Sequence, residues 1–113
     1  LDQGVHFGLG TDNKPYSPFP TIWAAVDRKE RTTNEVLGPS QILTRMEALK
    51  AMTLGGAYFS FEEGHRGSLE TGKLADLAVL SDDYLTVPED EISGLHSVLT
   101  MVGGQEVFST GAL

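Results

Sequence analysis

Apolar and polar positions alternate along this chain in two regimes, and each regime predicts different elements. Val5 to Leu9 is a short apolar run closed by Gly10, the pattern of a strand. A loop of turn formers follows, Thr11 to Pro18. Proline suits the first position of a helix, so a helix is expected from about Pro20, with Ile22, Trp23 and Val26 on one side. Its end is charged, Asp27 to Glu30. Thr32 to Ser40 is a polar connection that Gly38-Pro39 breaks. Thr44 and Glu47 have capping-box spacing: the hydroxyl can accept from the glutamate's backbone N–H, and the carboxylate can reach back. The helix they start carries Met46, Leu49 and Met52 at threefold spacing, a stripe that reads as core rather than as a cofactor site. Gly55-Gly56 is expected to interrupt it, and Ala57 to Phe61 to form a short buried turn or helix.

The second half reads as β-structure. Gly64 to Gly72 is a series of turns. Leu74 to Leu80 is nearly all apolar, which predicts a strand buried on both faces, ended by Ser81-Asp82-Asp83. Pro88 and the acids after it suit a helical turn. Leu95 to Val102 is a further strand, and Gly103-Gly104 a tight reversal into Gln105 to Ser109. The boundaries predicted are 1–62 for a strand–helix portion and 63–113 for a β-rich portion. Neither closes a sheet of its own. A strand at Val5 to Leu9 would leave open edges that invite pairing with another copy.

Composition narrows the function classes. The chain has 113 residues and a net charge of −8, which disfavours nucleic acid and anionic membranes as partners. It has no cysteine, which excludes disulfide staples, thiol catalysis and Cys-ligated zinc. No apolar run reaches the ~18 residues of a membrane span. The sequence starts at Leu1 and enters a strand-like segment almost at once, so the expectation is that it continues a longer polypeptide. Location in the cell stays open, with a slight lean to the cytoplasm.

Asp12 is the candidate functional residue. It follows the C-terminal end of a predicted strand and precedes a helix, the edge of α/β folds where catalytic groups gather. A carboxylate there can act as general base or metal ligand. The same residue type in the same place also makes an Asx turn or a helix cap, and the local pattern leaves both readings open. His6, His65 and His96 lie far apart and lack metal-site spacing. Dinucleotide, Walker and nucleophile-elbow motifs are absent. The acids Asp82, Asp83, Glu89, Asp90 and Glu91 lack calcium-loop spacing and read as a solvated face, leaving a calcium- or carbohydrate-binding module as a minor third reading.

Taken in order, several segments resemble the C-terminal end of a metal-dependent amidohydrolase, closest to the YtcJ-like subgroup, amidohydrolase family 3. Gly8-Leu9-Gly10-Thr11-Asp12 is similar to that family's eighth barrel strand with its terminal aspartate. Pro18 to Val26 with Arg28 resembles the helix after it, and Leu43 to Thr53 the helix beyond. Gly67 to Leu80 is the most specific stretch, matching G-x-(I/L)-E-x-G-K-x-A-D-(L/F)-x-(V/L)-L, and Leu85 to Pro88 and Thr100 to Gly104 complete the match.

The resemblance implies an α/β fold: the last strand–helix unit of a TIM-type barrel plus C-terminal strands of a composite β-sandwich. It implies hydrolysis of a C–N bond, amide or N-acyl, in a small-molecule substrate. Asp12 would be proton acceptor and metal ligand, and a divalent metal, zinc, would be the cofactor of the whole enzyme. The family's His-x-His and later barrel histidines have no counterpart here, and 113 residues fall short of the roughly 200 a barrel needs. The chain alone is therefore expected to hold no catalytic metal and to be inactive. The Gly67 to Leu80 signature is then structural, with Asp76 capping or pairing locally. The alternative reading is a stand-alone, non-catalytic β-rich module for binding or self-assembly.

Overall fold

Pro18-Phe19-Pro20 starts helix α1, Phe19–Asp27, where a missing proline N–H costs nothing. The helix stops because Arg28 turns left-handed, φ 52°, and returns its N–H to the Ala24 carbonyl at 3.1 Å. A computed structural model describes residues 3–12 and 16–112. In it α1 is followed by a loop in which Lys29 and Val36 form an isolated bridge, then a 3-10 turn, Pro39–Gln41. Helix α2, Arg45–Met52, opens with the capping box complete: the Glu47 N–H reaches the Thr44 hydroxyl at 3.3 Å, and the Thr44 N–H reaches the Glu47 carboxylate at 2.8 Å. Helix α3 is Leu54–Phe59.

Three antiparallel strands follow in the order β1-β2-β3: β1 Leu77–Leu80, β2 Ser97–Val102 and β3 Gln105–Ser109. Gly103 and Gly104 turn β2 into β3 with φ of 58° and 81°, a doubly left-handed turn that glycine takes at no steric cost. Between β1 and β2 the chain makes a 3-10 helix, Glu89–Gly94.

The core lies among α1, α2 and that 3-10 helix. Ile22 and Ile92 are its fully buried large side chains, with Phe19, Val26, Ala48, Tyr84, Val87 and Leu95 around them. Residues on both sides of position 62 therefore build one core. Arg45 joins the two sides directly. Its guanidinium donates to the carbonyls of Tyr84 at 2.7 Å and Val87 at 2.6 Å, and the Tyr84 hydroxyl donates back to the Arg45 carbonyl at 2.7 Å. The radius of gyration, 15.0 Å, exceeds the ~13 Å of a compact chain this long, so much apolar surface stays open.

Five expectations need correction. Val5 to Leu9 is extended but forms no strand. A ladder needs a neighbouring strand, and the Leu9 N–H goes instead to the Ala51 carbonyl at 3.2 Å. The stripe on α2 holds only in part: Leu49 and Met52 pack half-buried against the core, but Met46 is 44% exposed, and the buried positions of the helix are Ala48 and Ala51. The helix breaks at Thr53, while Gly55 and Gly56 lie inside α3. Of the segment after them Ala57 is buried, but Phe59 and Phe61 are exposed at 60% and 90%. Finally, β1 is an edge strand with Ala78 and Val79 exposed, not a strand covered on both faces.

Two measurements check this account. Ile92→Ala should cost about 2–5 kcal/mol in urea unfolding, whereas Val107→Ala on exposed β3 should stay within about 0.5 kcal/mol. The Thr44 N–H and hydroxyl hold the Glu47 carboxyl below its ordinary value of 4.5. A lowered folded value means the stabilisation is present above pH 4.5 and is lost as the pH falls below it. Glu47→Gln should therefore flatten the acid limb of a stability–pH curve and leave its neutral-to-basic limb unchanged in shape.

Candidate functional site

The segment bearing Asp12 lies extended across α2 and α3. Phe7 and Leu9 are half-buried on the helices, and the His6 imidazole stacks on the Tyr58 ring, centroids 4.0 Å apart and planes 14° from parallel. The backbones cross where glycine meets glycine: Gly8 passes over Gly55. Beside the crossing is a groove of about 390 Å³, lined by His6, Phe7, Lys50, Leu54, Gly55 and Tyr58 among others. Asp12 lies at the far end of the segment, exposed, in the left-handed conformation at φ 54°. Aspartate reaches that region more easily than most residues, because its short side chain can bond locally. The carboxylate is open to solvent and hence to a reactant.

A zinc site needs three or four converging ligands. Among the described residues no group of three or more His, Asp or Glu side chains could hold a metal ion. His6 is committed to its stack on Tyr58. His65 is exposed in a turn and accepts the Leu74 N–H at its carbonyl, and His96 is exposed with Nδ1 3.4 Å from the Gly94 carbonyl. The structure thus does not bring the histidines to Asp12, and the described residues do not fit a complete metal centre.

The Gly67–Leu80 stretch is a series of turns that leads into β1. Lys73 Nζ lies 2.7 Å from the Ser68 hydroxyl and 3.0 Å from the Glu70 carboxylate, which also accepts from Ser68. The Ser68 hydroxyl, then Lys73, hold the Glu70 carboxyl below the usual range. Asp76 departs from the expected local cap. One oxygen accepts the Gly103 N–H at 2.7 Å, and the other faces Arg66 at 3.5 Å. It locks the β2–β3 turn to the segment after α3, a contact between residues 27 apart. The acids at 82–91 are exposed as the pattern predicted, and Asp83 caps its own turn through Leu85 N at 2.9 Å.

Three structural residues escaped the reading of the sequence, two of them without any signal. Arg45 finds carbonyls about forty positions away. Asp27 is buried at the C-terminal end of α1 and is neutralised by Lys29 at 2.6 Å, whose own ammonium is held above its ordinary value by that pair. Gly55 had a signal, the paired glycines inside an apolar stretch, but the pattern suggested a helix break instead of a crossing point.

The family model described as the amidohydrolase family matches residues 1–108. The chain belongs to the amidohydrolase family. It is 36% identical over 106 residues to the N-substituted formamide deformylase of Arthrobacter pascens, covering 92% of this chain and 19% of that protein. It is 32% identical over 114 residues to YtcJ of Bacillus subtilis (strain 168), named as an amidohydrolase, covering 96% and 21%. It is 34% identical over 111 residues to the protein LONG AFTER FAR-RED 3 of Arabidopsis thaliana, covering 96% and 19%. The chain spans about a fifth of the length of these relatives. No solved structure matches it.

The Asp76 lock is open to test. Asp76→Ala removes both contacts and should cost about 1–2 kcal/mol in denaturant unfolding, the size of a charge-assisted hydrogen bond that is partly exposed. Asp76→Asn keeps an acceptor for Gly103 and should cost clearly less.

Proposed function

We propose that this chain is the C-terminal part of a metal-dependent hydrolase of C–N bonds, and that Asp12 is its proton acceptor. The observation that carries the reading is the placement of Asp12: an exposed carboxylate at the end of an extended segment that two helices support, in a chain of amidohydrolase family membership. The deformylase among its relatives, by its name, acts on an N-substituted formamide, so an amide or N-acyl group is the proposed substrate class.

Hydrolysis of an amide needs a base for the attacking water and an acid for the departing amine. One carboxylate can do both in turn: Asp12 takes the proton from water as the oxygen attacks the carbonyl carbon, then returns it to the nitrogen as the C–N bond breaks. Zinc is the metal this reading assigns to the whole protein. Asp12 can offer it one ligand, and the remaining ligands have to come from beyond these residues. The extended segment is read as the last barrel strand, whose neighbours would be other strands of the barrel. The three-stranded sheet is read as part of a composite sandwich, whose second layer would cover the exposed faces of β1 and β3.

A second reading has its own observation. Among the described residues β1 and β3 each pair on one side only, and β3 is exposed along its whole length, which suits a binding module that pairs through its edges.

The deciding experiment grafts this chain into the Arthrobacter deformylase in place of the 106 matched residues. The graft should hydrolyse the N-substituted formamide, and Asp12→Asn within it should lower kcat by about 10²–10⁴-fold, the range for loss of a general base. The 113-residue chain by itself should bind no stoichiometric zinc and turn over no amide. Full activity in the Asp12→Asn graft, or zinc-dependent turnover by the chain alone, overturns the proposal. An inactive graft beside a defined dimer of the free chain supports the second reading.

A further inference from the structure

Helix α3 carries two adjacent glycines in six residues, Gly55 and Gly56, and glycine is a poor helix former. Their surroundings differ. A Cβ on Gly56 would meet nothing within 4 Å. A Cβ on Gly55 would lie 2.5 Å from the Phe7 carbonyl oxygen and 3.0 Å from Gly8 Cα. Both obstacles are backbone, so no side-chain rotation relieves them. The Asp12-bearing segment can lie on α3 only while position 55 has no side chain.

Gly8 mirrors this on the other side of the contact. Its Cβ would stand 3.3 Å from the Gly55 carbonyl carbon and 3.3 Å from the Phe59 ring. That clash is milder, since Phe59 is 60% exposed and can yield. The opposite flank of α3 is also held by glycine: Gly67, at φ 94°, would place a Cβ 2.8 Å from that of Ala57. Helix α3 is thus gripped between two backbones. On the segment's side the grip is completed by the Leu9–Ala51 hydrogen bond at 3.2 Å and the His6–Tyr58 stack.

We propose that Gly55 is a positioning residue: its bare backbone seats the Phe7–Gly8 crossing and thereby fixes where the segment delivers Asp12. The functional meaning of that placement rests on the reading of Asp12 as proton acceptor. The seating itself does not.

The test is an NMR comparison of Gly55→Ala, Gly8→Ala and Gly56→Ala in the 113-residue chain. Three signatures report the seating: exchange of the Leu9 amide, the ring-current shift of His6 from Tyr58, and the Asp12 Cα and Cβ shifts set by its left-handed backbone. Gly55→Ala should speed Leu9 exchange by about tenfold or more, collapse the His6 shift and move the Asp12 shifts, with amide protection in α1 unchanged. Gly8→Ala should move the same signatures part of the way, and Gly56→Ala should leave them as they are. If Gly55→Ala does not fold, the Gly8→Ala and Gly56→Ala pair carries the comparison. Wild-type signatures in Gly55→Ala, or equal changes in Gly8→Ala and Gly56→Ala, overturn the proposal. The Asp12→Asn graft tests the catalytic reading separately, so either conclusion can fail while the other stands.

Discussion

The reciprocal clamp between Arg45 and Tyr84 is the contact on which the rest of the arrangement depends. Three hydrogen bonds, from the guanidinium to the carbonyls of Tyr84 and Val87 and from the tyrosine hydroxyl back to the Arg45 carbonyl, bind the start of α2 to the segment that leads into the 3-10 helix. A charged donor on a neutral carbonyl makes a stronger bond than a neutral pair. The clamp satisfies polar groups that would be costly to bury unpaired, and burial pushes the Tyr84 hydroxyl above its ordinary value. With these two segments fixed, α1 has a bed on which Ile22 and Val26 meet Ala48 from one side and Ile92 from the other.

From that bed the supporting surface for Asp12 follows. Helix α2 presents the Ala51 carbonyl to Leu9, and α3 presents Gly55 to Phe7 and Gly8. The turn at Gly67 holds α3 from behind, and Asp76 ties the next stretch of that chain to the β2–β3 turn. The signature that most resembles its family therefore works as scaffold. Its charged residues Glu70, Lys73 and Asp76 are spent on turns and on the Arg66 pair.

The surface left open has the same origin. The core is small, while Val5, Phe59, Phe61, Leu69 and Val107 are at least 60% exposed. Large apolar side chains exposed in this number suit a chain that other protein surface covers. In a family whose relatives are about five times as long as this chain, this is the surface that the proposed barrel and sandwich neighbours would cover.

The sequence by itself determined what depends on neighbours along the chain. The Thr44–Glu47 box, the start of α1 after Pro18, the Gly103-Gly104 reversal and the 3-10 helix after Pro88 each follow from backbone preferences within a few residues. The family signature at Gly67–Leu80 was legible for the same reason: it is a run of turn and strand residues in fixed order. Tertiary structure alone decided what depends on distant partners. Val5 to Leu9 has strand composition but, among the described residues, no strand to pair with, and the Leu9 amide goes to a helix carbonyl. Ala48 is core and Met46 is not, because Ala48 is the α2 position that the α1 cluster covers. Arg45, Asp76 and Gly55 owe their roles to backbone groups between 27 and 48 positions away, and no periodicity within one segment encodes a contact of that range.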